Sequence, residues 1–312
     1  MKRTPIEEMP QYAVFKGGSK TYFNSSLFFP EDVRRDVFIL YGFVRVADDF
    51  VDATPQDEEA FAAFCRAWEA AECGTPSGNP IIDDFVALSR RRRFKASWTH
   101  AFLASMAADI GTVAFDSLDQ TLAYIYGSAE VIGLFMSRIM DLPDEALPHA
   151  RLLGRAMQYI NFLRDIAEDN DLGRRYLPLK GSGLDDLSES EARSKAAVFR
   201  SWFRSQSALY REWHDEAARG YRYIPRRYLI PIRTAEDMYL WTAEVLNEEP
   251  LRVFERKVKP VRGRIRSRAL LNIFLPVARG PRRTEFSGVP GGMEEPVVRD
   301  FRYIQGSCEE LP

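Results

Sequence analysis

The chain has 312 residues, 46% of them apolar, and a formal net charge of −2. That composition buries a substantial core, gives no global field to attract nucleic acid, and contains no run of about 18 apolar residues that would span a membrane. Three cysteines (Cys65, Cys73, Cys308) and three histidines (His100, His149, His214) are scattered without metal-type spacing, so neither a zinc site nor a Cys-His nucleophile is expected.

Met1 to Pro5 is followed by charged and polar residues where a secretory leader needs an apolar core, and a cytoplasmic protein is therefore expected. From Pro30 onward the apolar residues recur with helical period, and no alternating Val/Ile/Thr-rich stretch is long enough for a sheet. The expected class is all-α, as one domain over 1–278. Breaks are expected at Gly74 to Pro80, Pro143 to Pro148, Lys180 to Gly183, Pro225 and Pro231. Gly, Pro and Arg then dominate, which predicts a flexible tail over 279–312.

Two segments carry chemistry. In the first, Val37, Tyr41, Arg45, Asp48 and Asp52 step by four, four, three and four, so one helical face presents a tyrosine, an arginine and two carboxylates. Asp49 lies about 100° off that stripe. In the second, Gln158, Asn161, Asp165 and Asp169 step by three and four along one stripe flanked by Met157, Ile160, Phe162, Leu163 and Ile166. A solvated helix face is usually built from long Lys and Glu stems. These faces use short oxygen ligands beside aromatic and aliphatic neighbours, which suits a hard cation shared with phosphate oxygens, with Arg45 and Arg164 placed to pair with phosphate. The run Arg90 to Arg93 is expected to be a solvated helix end.

Further motifs fall in a fixed order around these stripes: Ser19-Lys20-Thr21-Tyr22 before Phe28-Phe29-Pro30-Glu31, then Asp48 to Asp52. After them come Tyr124-Ile125-Tyr126-Gly127-Ser128-Ala129 with Gly133, and Gln158 to Asp169 running into Gly173-Arg174-Arg175-Tyr176-Leu177-Pro178. The ordered set, over roughly Phe15 to Leu270, resembles the squalene and phytoene synthase family of head-to-head prenyl synthases. The resemblance implies an isoprenoid-synthase helical bundle with a central cavity. In it Asp48, Asp52, Asn161, Asp165 and Asp169 would ligate Mg²⁺ (or Mn²⁺), and Ser19, Lys20, Tyr22, Arg45, Arg164 and Arg252 would hold two isoprenyl diphosphates. Tyr41, Tyr124, Gln158 and Tyr239 match cavity positions that would act on cations or protons. Glu130 departs from the small residue that many relatives carry there.

Ser26, a short side chain four residues before Pro30, is expected to leave room for C20 chains, with Phe38 as a residue that could close the floor. Together with Arg175 to Pro178 this favours the phytoene-forming branch. The alternatives are a C30 synthase making squalene, which would add NADPH, or dehydrosqualene, and a non-catalytic assembly homologue. The stretch from Arg252 to Arg268 holds eight basic residues against Glu255, which predicts peripheral contact with an anionic membrane. Oligomeric state is not legible.

Overall fold

The computed structural model describes residues 5–18 and 29–274, so Ser19, Lys20, Tyr22, Ser26 and the expected tail lie outside the described residues. The described chain is helical apart from one two-residue ladder, and it clusters into two compact units.

Among the described residues, the first unit contains 5–18, 29–111 and 134–142. Its helices are α1 (Pro10–Gly18), α2 (Glu31–Asp52), α3 (Glu58–Glu72), α4 (Pro80–Arg92) and α5 (Ala96–Ala108). Local chemistry sets the starts: Asp57 accepts from the Ala60 amide and Asn79 from the Ile81 amide, with Pro80 at the first helical position. One face of α2, including Val33, Val37, Leu40, Ala47 and Val51, is buried. Phe43 adds a stack on Phe85 at 3.8 Å. Helix α1 crosses α2 at Gly42, where a Cβ would lie 2.6 Å from Gln11 Cγ. Phe38 packs edge-on to Phe15 at 4.8 Å and is fully buried.

The arginine run ends its helix with Arg90, Arg91 and Arg93 exposed, as the sequence suggests, but several of its side chains also reach back onto the protein. Arg91 Nη2 and Arg92 Nε donate to the buried Asp36 carboxylate at 2.5 and 2.7 Å, and Arg92 Nη1 also donates to Asp141. Arg90 donates to the carbonyls of Ala71 and Glu72. Arg91 and Arg92 in addition clamp Asp36, because a buried carboxylate is tolerated only with paired charge.

The second unit contains residues 112–133 and, among the described residues, 143–274. A Ser117–Gln120 capping box opens α6 (Leu118–Ile125), which passes through a π turn (Tyr126–Glu130) into α7 (Val131–Ile139), a helix whose residues from Leu134 onward are counted with the first unit. Then come α8 (Leu147–Arg164), α9 (Ile166–Asp171), α10 (Glu189–Ser194), α11 (Ala196–Ala218), α12 (Arg226–Glu248) and α13 (Arg262–Phe274). The ladder pairs β1 (Val113–Ala114) with β2 (Arg174–Arg175) in parallel. Helix α8 packs against both α11 and the π turn. Two glycines permit the second approach: a Cβ at Gly133 would lie 2.3 Å from the Ala150 carbonyl oxygen, and one at Gly154 would lie 2.4 Å from that of Ala129.

Two sequence expectations are corrected here. Pro231 does not break the chain but sits inside α12. The carbonyl four residues before it belongs to Arg227 in the first turn, where a lost bond is tolerated more readily than in mid-helix. The second acidic stripe, read as one helix, is interrupted at Asp165, whose φ of −101° and ψ of 14° depart from helical values. The bonds from the Asp165 amide to Asn161 and from the Asp169 amide to Asp165, both 2.8 Å, carry the direction across the break.

Candidate active site

In the first unit the acidic face of α2 forms as its spacing predicts. Arg45 Nη1 donates to Asp48 at 3.0 Å and Nη2 to Asp49 at 2.5 Å, so Asp49 joins the group through the arginine although it lies off the stripe. Tyr41 stacks on Phe15 at 4.0 Å, and burial raises its phenol pKa. Burial, followed by the Asp52 charge one turn away, pushes the Asp48 carboxyl up to about 7 against the opposing pull of Arg45, with Asp109 and Asp49 adding to the rise. Asp109, buried at the end of α5, was not singled out from sequence. Nothing in its local spacing marks it.

In the second unit the break at Asp165 gathers several groups. Arg164 donates twice to Asp165, Nε to Oδ1 at 2.7 Å and Nη2 to Oδ2 at 2.5 Å. Burial alone would lower the Arg164 pKa, yet the bonds to Asp165, aided by Tyr239 and Glu168, hold the guanidinium above its ordinary value. Tyr239 therefore lies within electrostatic range of Arg164. Lys257 Nζ sits 3.0 Å from Asp165 Oδ1 and also pairs with Glu168. The sequence placed Lys257 only in a basic stretch; the signal that separates it from its neighbours is tertiary. Asn161 Oδ1 is buried and makes no hydrogen bond within the protein. Gln158 lies half-buried one turn before it on α8.

Arg252 is half-buried in the turn Pro250–Phe254, which packs against α9, the helix that carries Asp169. Tyr124 belongs to an aromatic group, 5.0 Å from the Tyr176 ring and 6.0 Å from Phe162, while Tyr176 stacks on Phe162 at 4.4 Å. The Gly173 to Pro178 motif is pinned to this group. Arg175 donates to the Phe115 carbonyl at 2.5 Å and pairs with Asp116, and Gly173 takes the positive φ of 69° that the turn requires.

Glu130, the departure noted above, is fully buried in the π turn. It accepts from Arg151 Nε at 2.9 Å and Arg155 Nε at 2.6 Å, one helical turn apart on α8. Arg151 lies over the Tyr126 ring and Arg155 over Trp213. The larger side chain therefore fills its place as the centre of a buried ion triad.

Among the described residues no three His, Cys, Asp or Glu side chains group closely enough to form a complete metal cage. The donor chemistry still fits Mg²⁺, which keeps several waters and is commonly held by one or two carboxylates together with substrate phosphates. Two features agree with that fit: the mutual repulsion at Asp48 and Asp52, and the cation Lys257 already drawn to Asp165.

The all-α architecture, with a carboxylate face beside an arginine in each unit, has the isoprenoid-synthase fold of solved squalene and dehydrosqualene synthases. A squalene synthase, HpnC, from Alicyclobacillus acidocaldarius superposes with a TM-score of 0.68 at 21% identity, over 80% of this chain and 97% of that one. A 15-cis-phytoene synthase of Enterobacter agglomerans is 31% identical over 71% of this chain and 80% of its own length. A 4,4'-diapophytoene synthase of Staphylococcus haemolyticus is 30% identical over 83% and 86%. The squalene/phytoene synthase family profile matches residues 15–264, and the chain belongs to that family. It is a prenyltransferase of the phytoene/squalene synthase type.

Proposed function

We propose that the chain condenses two geranylgeranyl diphosphates head to head into phytoene, in the presence of Mg²⁺, through a cyclopropyl-carbinyl diphosphate. The observation that carries this reading is the cluster at Asp165: a buried acceptor on Asn161, a doubly bonded Arg164 and the ammonium of Lys257 around one carboxylate. Relatives named phytoene synthase support the C20 substrate. The diapophytoene synthase relative keeps a C15 substrate as the second reading, with NADPH needed only if the product is squalene.

On this reading Asp48, Asp52, Asn161, Asp165 and Asp169 would hold Mg²⁺, which when bound offsets charge on the departing diphosphates. Arg45, Arg164 and Arg252, with Ser19, Lys20 and Tyr22, bind diphosphate oxygens and orient the two allylic carbons. The second substrate's double bond attacks the first allylic cation, forming the cyclopropyl ring. Loss of the second diphosphate, rearrangement and loss of a proton then give the joined olefin. Tyr41, Tyr124 and Tyr239 present ring faces or hydroxyls to the cations, and Gln158 orients polar groups beside Asn161. A peripheral membrane contact is proposed for α13, since a C40 hydrocarbon must leave into lipid.

Incubation with each of the C15 and C20 diphosphates, with and without Mg²⁺ and NADPH, followed by hydrocarbon analysis, tests the reading. Phytoene from the C20 substrate alone is expected. A C30 product would move the chain to the second reading, and no hydrocarbon under any condition would overturn both.

A further inference from the structure

Helices α11 and α12 bury a polar seam that the chemistry above does not use. Ser207, Tyr210 and His214 occur at i, i+3 and i+7 on α11 and share one face. Across from them on α12 stand Glu236 and, one turn on, Tyr239. All of the first four are at least nine-tenths buried: Ser207 and Tyr210 are 1% exposed, Glu236 3% and His214 9%. Ser207 Oγ, Tyr210 OH, His214 Nε2 and Glu236 Oε1 make no hydrogen bond to any other protein group. Four buried polar atoms without a protein partner thus gather on the facing sides of two helices, where an unsatisfied buried group is destabilising.

The seam has direction. At its outer end His214 Nε2 lies 3.9 Å from Glu236 Oε2, and His214 Nδ1 lies 3.3 Å from Asp215, whose side chain is 83% exposed. At the next level the Glu236 and Tyr239 side chains both bear electrostatically on Tyr210, beside the larger effect of burial. Tyr239 in turn bears on Arg164 in the candidate site. His214 thus faces Glu236, Tyr239 lies one turn further along the same helix as Glu236, and α12 packs against α8, which carries Arg164. The charged groups that bear on the seam are Arg211 and Asp215 from α11 and Asp237 from α12, and Asn272 of α13 holds the Asp237 carboxylate at 2.9 Å. Burial, with Asp237 adding to it, keeps the Glu236 carboxyl well above its usual range, so it holds a proton that it can pass on.

We propose that Tyr210, His214 and Glu236 form a hydrated proton path linking the Tyr239–Arg164 side of the candidate site to solvent at Asp215. The inference rests on the reading that the reaction ends in proton loss. In that step a C–H bond next to the final allylic cation breaks and its electron pair becomes the central double bond. The proton enters the chain at Tyr239, and one proton leaves at the His214–Asp215 end, so no oxidant or reductant is consumed. These residues act through others and are positioning residues rather than catalytic ones. Ordered waters suit the seam because each orphan atom supplies one of the two to four partners that a buried water needs.

The test compares wild type with Glu236→Gln and Tyr210→Phe, both close in shape to the native side chains, using Mg²⁺ and the C20 diphosphate in H₂O and D₂O. Diphosphate release should stay within about threefold of wild type, while products of water capture rise about tenfold relative to olefin and the solvent isotope effect on that partition grows. A merely structural role would lower both together. An unchanged partition in both variants overturns the proposal, and so does a wild-type product that is saturated by NADPH, because no proton then needs to leave. Infrared spectroscopy supplies a readout independent of turnover: a protonated-carboxyl stretch present at neutral pH and lost in Glu236→Gln supports the path, and its absence from wild type overturns it. Wild type yielding no hydrocarbon would instead overturn the proposed function, leaving the infrared result to judge the seam.

Discussion

Lys257 and Asp165, ninety-two positions apart, meet at 3.0 Å, and the same ammonium also pairs with Glu168. A lysine held by two carboxylates competes with an incoming divalent cation and, once displaced, lies within reach of diphosphate. Lys257→Gln is therefore expected to lower the Mg²⁺ concentration needed for half-maximal activity while raising KM for the prenyl diphosphate about tenfold, roughly 1.4 kcal/mol. Initial-rate titrations of each component separate the two effects. Equal loss in kcat with neither half-saturation moved would contradict the role.

Asp48 supplies the pH dependence. Its carboxyl is raised to about 7, so below that pH it is protonated and poor as a ligand, and above it is ionised. The Mg²⁺ concentration for half-maximal activity should rise about tenfold between pH 8 and pH 6, and saturating Mg²⁺ should shift the acid limb to lower pH. In the metal-free protein the sign is opposite. A carboxyl raised in the folded state makes folding less favourable as pH climbs from the ordinary carboxylate range through about 7, so added Mg²⁺ should raise the melting temperature most at the alkaline end. A rate profile indifferent to Mg²⁺ would remove Asp48 from the metal set.

Glu130 is predicted to be a stability residue. Its replacement by Ala removes the buried carboxylate that Arg151 Nε and Arg155 Nε share, a loss on the order of 3–5 kcal/mol. Denaturant unfolding of Glu130→Ala should show that loss. A change under about 1 kcal/mol would mean that the arginines find other partners.

On α13, Leu270, Leu271 and Ile273 are 61%, 44% and 40% exposed beside Arg264, Arg266 and Arg268. Apolar and basic side chains on one short helix suit an anionic bilayer surface. Sedimentation with anionic vesicles should occur at low salt, fade at high salt, and drop when Leu270 and Leu271 are both changed to Glu. Binding to neutral vesicles at the same level would show that the arginines are irrelevant.

For chain length, Ser26→Phe is expected to favour C15 over C20 substrate, since an added aromatic in a packed pocket costs about 1–3 kcal/mol. Unchanged C20 preference would withdraw Ser26 from the pocket.

Much of the chain was readable before folding was considered. Helical period gave the all-α class from Pro30 onward, though not α1 before it, and the spacing of Tyr41, Arg45, Asp48 and Asp52 put them on one face of α2, because that arrangement is a local property of 3.6 residues per turn. The Asp165 break was not readable, since the apolar period runs through it without a proline or glycine. Pro231 misled for the reverse reason: the residue signals a stop, yet the rest of α12 supplies enough packing to continue.

What the sequence determined alone was the all-α class, through composition and period, while motif order nominated the oxygen and arginine groups as candidates. Tertiary structure decided which charges those groups meet. The Asp36 clamp, the Glu130 triad, the Lys257 bridge and the buried seam at Glu236 all join residues from separate elements. The strength of such pairings depends on distance and on exclusion of water, and neither exists until the helices have packed.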